Sequence, residues 1–432
     1  MAQDLIQIIL WWVVGGCLLA IVAVLVILYF RGTFRDRVEY KVKNAPSAED
    51  ARFPLALASL SNSVITSGYS TNFWLESEQI NGARLEAIRS AKQTIHFETF
   101  FMTPGRRANN FATAIAEKAQ AGVKVQVIVD KYGVKTLPQR YWKRLKAAGI
   151  EVRFFNDFNW RSPIDYFARS HRKLLIIDGE FALIGGAGIS DYWDGKDNID
   201  GEHPWYDFET RLEGEVVAVL AGMFMQHWTY VHGTADLSTT VSRPGVSSDP
   251  TMLVTAGDDP SYRSASVKAL FQVSIHAARQ RLWIASPYFL ADRAIRSALT
   301  TAKKRGVDVK VLTNGIRSDK KFVYFASCEQ YRDLLAAGVE VYEYQPSMMH
   351  AKALLLDDCW LSTGSANFDP RSFFHNDELD ISTSDIRLVK RIEQFLQQGF
   401  AKSKQVSMSE WRKRPLWQRV VARIVLFFES QL

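Results

Sequence analysis

Two stretches of the chain carry the same three residues in the same order and spacing. "RSHRKLLIIDGEF" (Arg169 to Phe181) contains His171, Lys173 and Asp178; "SMMHAKALLLDDCW" (Ser347 to Trp360) contains His350, Lys352 and Asp357. On extended chain, residues i and i+2 project to one face. His171 therefore stands beside Lys173, and His350 beside Lys352, each an imidazole next to a fixed positive charge. Two such pairs facing across a pseudo-twofold axis form one site suited to phosphodiester transfer. One neutral imidazole attacks phosphorus and forms a phosphohistidine. The other gives a proton to the leaving alkoxide and takes one from the incoming alcohol, as an imidazole with an ordinary pKa near 6.5 can do. The two lysines neutralise the non-bridging oxygens as charge builds. Mg²⁺ does that work in many phosphoryl enzymes, so this site is expected to need neither metal nor cofactor.

The elements around each motif repeat as well. "AIRSAKQTIHFETFF" is matched by "SIHAARQRLWIASPYF", "EKAQAGVKVQVIVD" by "AKKRGVDVKVLTNG", and "LKAAGIEVRFF" by "LLAAGVEVYEY". "HRKLLIIDGEFALIGGAGI" is matched without a gap by "HAKALLLDDCWLSTGSANF", 179 residues on. Helical and strand periodicities alternate through both halves, which predicts an α/β fold with a largely parallel sheet in each of two duplicated lobes. The lobes are placed at residues 55–231 and 251–405, joined by a Ser-, Thr-, Gly- and Pro-rich loop at 232–250. After each motif strand a second strand returns. There Ser365 and Asn367 are expected to donate hydrogen bonds to a phosphoryl oxygen, whereas the first half has Gly186 and Gly188, which offer only backbone N–H groups or close approach.

The chain has 432 residues and a formal net charge of +7, which favours anionic partners such as phospholipid headgroups. Its three cysteines, Cys17, Cys328 and Cys359, are scattered, so neither a disulfide framework nor a zinc site is expected and a reducing compartment fits. Residues 5–30 carry no charge and reach about 39 Å as a helix, enough to cross a bilayer. Arg31, Arg35, Arg37, Lys41 and Lys43 follow in a juxtamembrane linker (31–54), so the positive-inside rule places the catalytic part in the cytoplasm. The tail (406–432) can form an amphipathic helix with Trp417, Val420, Val421, Ile424, Phe427 and Phe428 on one side, either lying in a membrane interface or packing on its own domain. His96, His203, His227 and His232 match no metal spacing and are read as packing or surface residues.

With these motifs and "GSANFDPRSFFHNDEL", "WYDFETRLEGEVV" and "PYF" (Pro287 to Phe289), residues 55 to 432 resemble the phospholipase D superfamily, and within it the bacterial cardiolipin synthases. The resemblance implies two phospholipase D-like α/β/α lobes sharing one active site, preceded here by a single transmembrane helix in a bacterial inner membrane. It implies that His171 is the nucleophile and His350 the general acid and base. It also implies that Asp207 and Glu378, each downstream of a motif, support the matching imidazoles. Asp178 and Asp357 are then structural. The implied reaction joins two phosphatidylglycerol molecules into cardiolipin and releases glycerol. The alternatives are hydrolysis to phosphatidic acid, or a tethered nuclease, although no nucleic-acid partner is expected. Two features depart from the family pattern: Gly188 replaces the usual Asn of the first motif, and there is one N-terminal membrane helix where two or none is common.

Overall fold

The computed structural model describes residues 2–30, 38–157, 160, 168–195, 203–235, 249–258 and 264–429. Arg31, Arg35, Arg37 and most of the expected interlobe loop lie outside the described residues. The apolar segment forms one helix, Ala2–Phe30, long and apolar enough to cross a membrane and almost wholly exposed along its length, as a helix in contact with lipid requires.

Each lobe is built on one sheet. The first sheet runs Tyr69–Leu75, Phe208–Glu213, Phe181–Gly185, Lys173–Ile177, Thr94–Thr99, Lys124–Asp130, Glu151–Phe155. The second runs Val64–Ser67, Thr251–Gly257, Asn376–Thr383, Trp360–Gly364, Ala353–Leu356, Arg281–Ala285, Asp308–Asn314, Glu340–Tyr344, Ser403–Gln405. The expectation of largely parallel sheets is corrected. Within each lobe's sheet, parallel pairing joins the three strands that alternate with helices, and the motif strands pair antiparallel with their sheet neighbours. The cause is local: each motif strand ends in a tight turn that reverses it, with Asp178 (φ 54°) and Gly179 (φ 66°) in the first lobe and Asp357 (φ 50°) in the second, and a hairpin can only be antiparallel.

The motif aspartates hold that turn to the preceding helix–strand loop. Asp178 accepts the backbone N–H groups of Lys92, Gln93 and Thr94 at 2.7–2.8 Å. Asp357 accepts those of Arg279, Gln280 and Arg281 at 3.2, 2.8 and 3.1 Å. Neither reaches the seam.

The first-lobe boundary also moves. The helix Phe53–Ser61 and the strand Val64–Ser67 belong to the second lobe. Phe53 and Leu57 are fully buried with Phe271 and Trp360, and Val64–Ser67 pairs antiparallel with Thr251–Val254. A short strand carries no lobe label in its own sequence; it goes to whichever sheet edge offers unpaired N–H and C=O groups.

The lobes meet through a continuous apolar core. Leu174, Ile184 and Phe208 of the first sheet share one cluster with Trp283, Leu355 and Ile381 of the second, with Phe224 and Phe395 from the helices Val216–Tyr230 and Ile386–Ala401 between them. Tyr206 crosses the seam, stacking on Phe395 (4.1 Å) and Tyr344 (4.8 Å) and donating its hydroxyl to the Phe395 carbonyl at 2.7 Å.

Asp357→Ala leaves three backbone N–H groups without their acceptor, at a cost of about 3 kcal/mol. The expected result is a thermal-unfolding midpoint several degrees lower in detergent, partly restored by Asp357→Asn, with turnover per folded molecule largely kept.

Candidate active site

Both histidines lie on the extended lead-in to their motif strands, and each is tied to the opposite lobe twice. The His171 N–H donates to the Asp377 carbonyl at 2.8 Å, and its Nδ1 lies 2.9 Å from Glu378 Oε2. The His350 N–H donates to the Tyr206 carbonyl at 2.8 Å, and its Nδ1 lies 3.2 Å from Asp207 Oδ2. The expectation that each downstream carboxylate supports the imidazole of its own motif is therefore corrected: the pairs are exchanged across the seam. The main chain explains this. Arg169–Ser170 runs parallel to Asn376–Asp377, and Tyr206 bridges Met349, so each carboxylate strand ends beside the other lobe's histidine.

The carboxylates are fully buried and held from behind. Glu378 Oε2 accepts the Ser365 hydroxyl at 2.5 Å and Oε1 accepts Asn376 Nδ2 at 3.1 Å. Asp207 accepts Trp193 Nε1 at 3.0 Å and the Phe208 N–H at 2.9 Å. Ser365 is thus corrected from a phosphate donor to a support for Glu378, since its one hydroxyl proton is already committed. Gly186 occupies the corresponding place in the first lobe, where a Cβ would come 2.4 Å from Asp207 Oδ1; the glycine makes room for that carboxylate. Gly188 packs so that a Cβ would meet the Phe101 carbonyl at 2.6 Å. Asn367, by contrast, lines a cleft with His171, and its buried Oδ1 has no partner among the described residues.

Lys173 and Lys352 each donate to the carbonyl of their own motif histidine at 2.6 Å, which folds both ammoniums back into the site. Lys352 Nζ also lies 3.0 and 3.2 Å from the two ring nitrogens of His350. Burial and the neighbouring ammoniums hold His171 well below its ordinary pKa and bring His350 to about 3, so both rings rest neutral. Burial lowers Lys173 to about 8, and burial with the charge of Lys173 lowers Lys352 to about 7. The carboxylates differ. Burial pushes Asp207 up, but His350 and Lys352 outweigh it and hold it low; burial dominates at Glu378 and raises it.

Tryptophans wall the His350 side. Trp193 meets the ring edge-on at 5.1 Å and Trp205 lies 5.7 Å away, while Phe100 stands 5.3 Å from His171. Sequence reasoning missed Trp193 and Trp205; their only signal was two tryptophans within fifteen residues of Asp207 on its N-terminal side. It also missed His227, read as packing or surface. His227 is buried, with Nδ1 2.7 Å from Glu98 and Nε2 3.2 Å from Asp377 and 3.3 Å from Asp258. His227, Asp258 and Asp377 are spaced closely enough to hold a cation, and the guanidinium of Arg172 contacts Asp258 among them.

The family described as "Cardiolipin synthase, PLD-like domain" matches residues 85–193 and 272–399, one segment in each lobe. The chain belongs to this family. It is 33% identical to cardiolipin synthase A of Pseudomonas fluorescens SBW25 over 79% of this chain and 71% of that protein. It is 30% identical to a cardiolipin synthase of Geobacillus sp. WCH70 over 90% and 78% of the two chains. The phosphatidylserine synthase of Haemophilus influenzae shares the fold, with a TM-score of 0.67 at 16% identity over 88% of this chain and 99% of that one. Two phospholipase D-like lobes and membrane association follow for this family member.

A lysine whose pKa is pulled down is charged only below that value, so the free enzyme loses both ammoniums in turn as pH rises through about 7 to 8. kcat/KM, which reports free-enzyme groups, is expected to fall over that window. Lys352→Arg, which stays charged, should move the fall to higher pH; an unmoved limb would exclude Lys352 as its source.

Proposed function

We propose that this protein is a membrane-anchored phosphatidyltransferase that makes cardiolipin from two phosphatidylglycerol molecules and releases glycerol. The observation that carries the reading is the single site at the seam, with two imidazole–carboxylate pairs and two ammoniums drawn equally from both lobes. Family membership and relatives named cardiolipin synthase support the same reaction.

His171 is the nucleophile in this reading. Its Nδ1 is held by Glu378, which leaves Nε2 to attack phosphorus as the bond to the glycerol oxygen breaks. His350, with Asp207 held ionised beside it, is the better placed of the two to carry a proton, which it gives to the departing glycerol. The arriving phosphodiester brings negative charge that raises the depressed pKa values of His350 and the two lysines toward their charged forms, while His171 attacks as the neutral ring. The hydroxyl of a second phosphatidylglycerol then passes its proton to His350 and attacks phosphorus, breaking the P–N bond. Lys173 and Lys352 balance the non-bridging oxygens in both steps, and Asn367 adds a hydrogen bond on the His171 side. No metal or cofactor enters this sequence. Hydrolysis is the second reading, because water in place of the second hydroxyl needs no change in the site.

The deciding assay gives the full-length protein radiolabelled phosphatidylglycerol as the sole phospholipid in vesicles. Cardiolipin and free glycerol are expected, both lost in His171→Ala and His350→Ala. Phosphatidic acid with glycerol and no cardiolipin would establish the hydrolase instead. An unimpaired His171→Ala would overturn the nucleophile.

The charge asymmetry around residues 5–30 supports a bacterial inner-membrane location with the lobes in the cytoplasm. A C-terminal green fluorescent protein fusion is expected to fluoresce and an alkaline phosphatase fusion to stay inactive; the reverse would overturn the topology.

A further inference from the structure

The C-terminal helix Leu416–Phe427 packs on the helix Lys321–Ala336. Ala422 is buried beneath it, and Trp417 meets Phe325 edge-on at 5.4 Å. Trp417 stands at the edge of the packed side, and the side opposite Ala422 is uncovered. Leu416, Trp417, Val420, Ile424 and Phe427 are between 48% and 73% exposed. At about 100° per residue these five fall within roughly 100° of arc on the side away from Ala422. A soluble protein rarely leaves so continuous an apolar stripe uncovered.

The stripe extends toward the active site. Phe322, one turn before Phe325 on the same face of its helix, is 65% exposed. Ile316, whose carbonyl accepts from Lys321, is 52% exposed. The neighbouring Lys320 and Val323 line the cleft that contains His171. The apolar stripe thus leads from the end of the chain to the rim of the catalytic cleft.

Its surroundings are basic. Between residues 411 and 428 the chain has Arg412, Lys413, Arg414, Arg419 and Arg423 and no acidic residue. Arg412, Lys413 and Arg423 are exposed. An apolar stripe bordered by cations fits a helix lying in the plane of an anionic bilayer, with its apolar side among the acyl chains and its cations at the phosphates. A helix at the other end of the chain, long and apolar enough to cross a membrane, holds a lipid surface at high effective concentration near this face.

We propose that the exposed face of the C-terminal helix, with Phe322 and Ile316, docks into the headgroup layer of an anionic membrane and seats the mouth of the catalytic cleft on the lipid. The functional consequence, delivery of phospholipid without passage through water, rests on the phosphatidyltransferase reading; the docking itself does not.

The test uses the full-length protein in vesicles of phosphatidylglycerol and phosphatidylcholine with brominated or unbrominated acyl chains. The emission of Trp417 is obtained by subtracting the spectrum of Trp417→Phe. That share is expected to be quenched at least twofold by brominated lipid, and the quenching should disappear in a Val420→Glu/Ile424→Glu background, where both changes fall at exposed positions. The same double variant should lose at least tenfold more cardiolipin synthesis on bilayer phosphatidylglycerol than on short-chain phosphatidylglycerol dispersed as monomers. Equal Trp417 emission in both lipids, or equal losses on both substrate forms, would overturn the proposal. So would a detergent-solubilised dimer that Ile424→Glu splits, which would assign the face to a second copy of this chain. A wild-type protein that makes no cardiolipin from either form would end the phosphatidyltransferase reading, while the quenching would still decide the docking.

Discussion

The candidate active site depends on one repeated contact across the seam: a histidine whose main-chain N–H bonds the residue preceding a carboxylate of the other lobe, and whose ring bonds that same carboxylate. The two contacts fix position and orientation together, the first placing the Cα and the second the ring. Because each is made to the opposite lobe, neither lobe alone holds a complete imidazole–carboxylate pair. Four ionisable groups that burial would otherwise neutralise, Lys173, Lys352, Asp207 and Glu378, are tolerated at the seam because each is set against opposite charge or backbone oxygen within a connected network. The surrounding apolar core, with Tyr206 inserted between Tyr344 and Phe395, keeps the lobes in register tightly enough for those distances to hold.

The pseudo-twofold symmetry is broken at the residues that tune the site. Glu378 is held by the Ser365 hydroxyl, while Asp207 sits against Gly186 and takes an indole N–H from Trp193. Behind Asp207, two residues along its strand, Glu209 is tied to Arg84 by Nε at 2.8 Å. Asp380 has the same relation to Glu378, but its Oδ2 is buried without a partner among the described residues. Burial, with the charge of Glu378 beside it, raises its pKa to about 8. One half of the site thus rests on an ion pair and the other on an acid driven toward neutrality. Two similar motifs thereby become two histidines in different electrostatic settings, which the proposed division into nucleophile and proton carrier would use.

Much of this architecture was legible in the chain. The paired motifs, the duplicated helix and strand blocks, the apolar N-terminal helix and the two-sided character of the tail all follow from spacing and periodicity within windows of a few tens of residues. The resemblance implies a structural part for the motif aspartates, and each of them accepts three backbone amides. Of the two readings of the tail, packing on its own domain holds for one face of the helix, and the other face stays apolar and exposed.

The sequence by itself determined which residue types stand together in the paired motifs and which local elements carry them, because side-chain direction on extended chain and the period of apolar residues are local properties. Only the tertiary structure decided that His171 meets Glu378 across 207 residues and His350 meets Asp207 across 143. It also decided that Ser365 spends its proton on a carboxylate, that Gly186 is small to admit one, and that Val64–Ser67 joins the second sheet. Those outcomes are choices among partners distant in sequence. They are set by how two sheets and the helices between them close over a common core, which no local pattern of residues encodes.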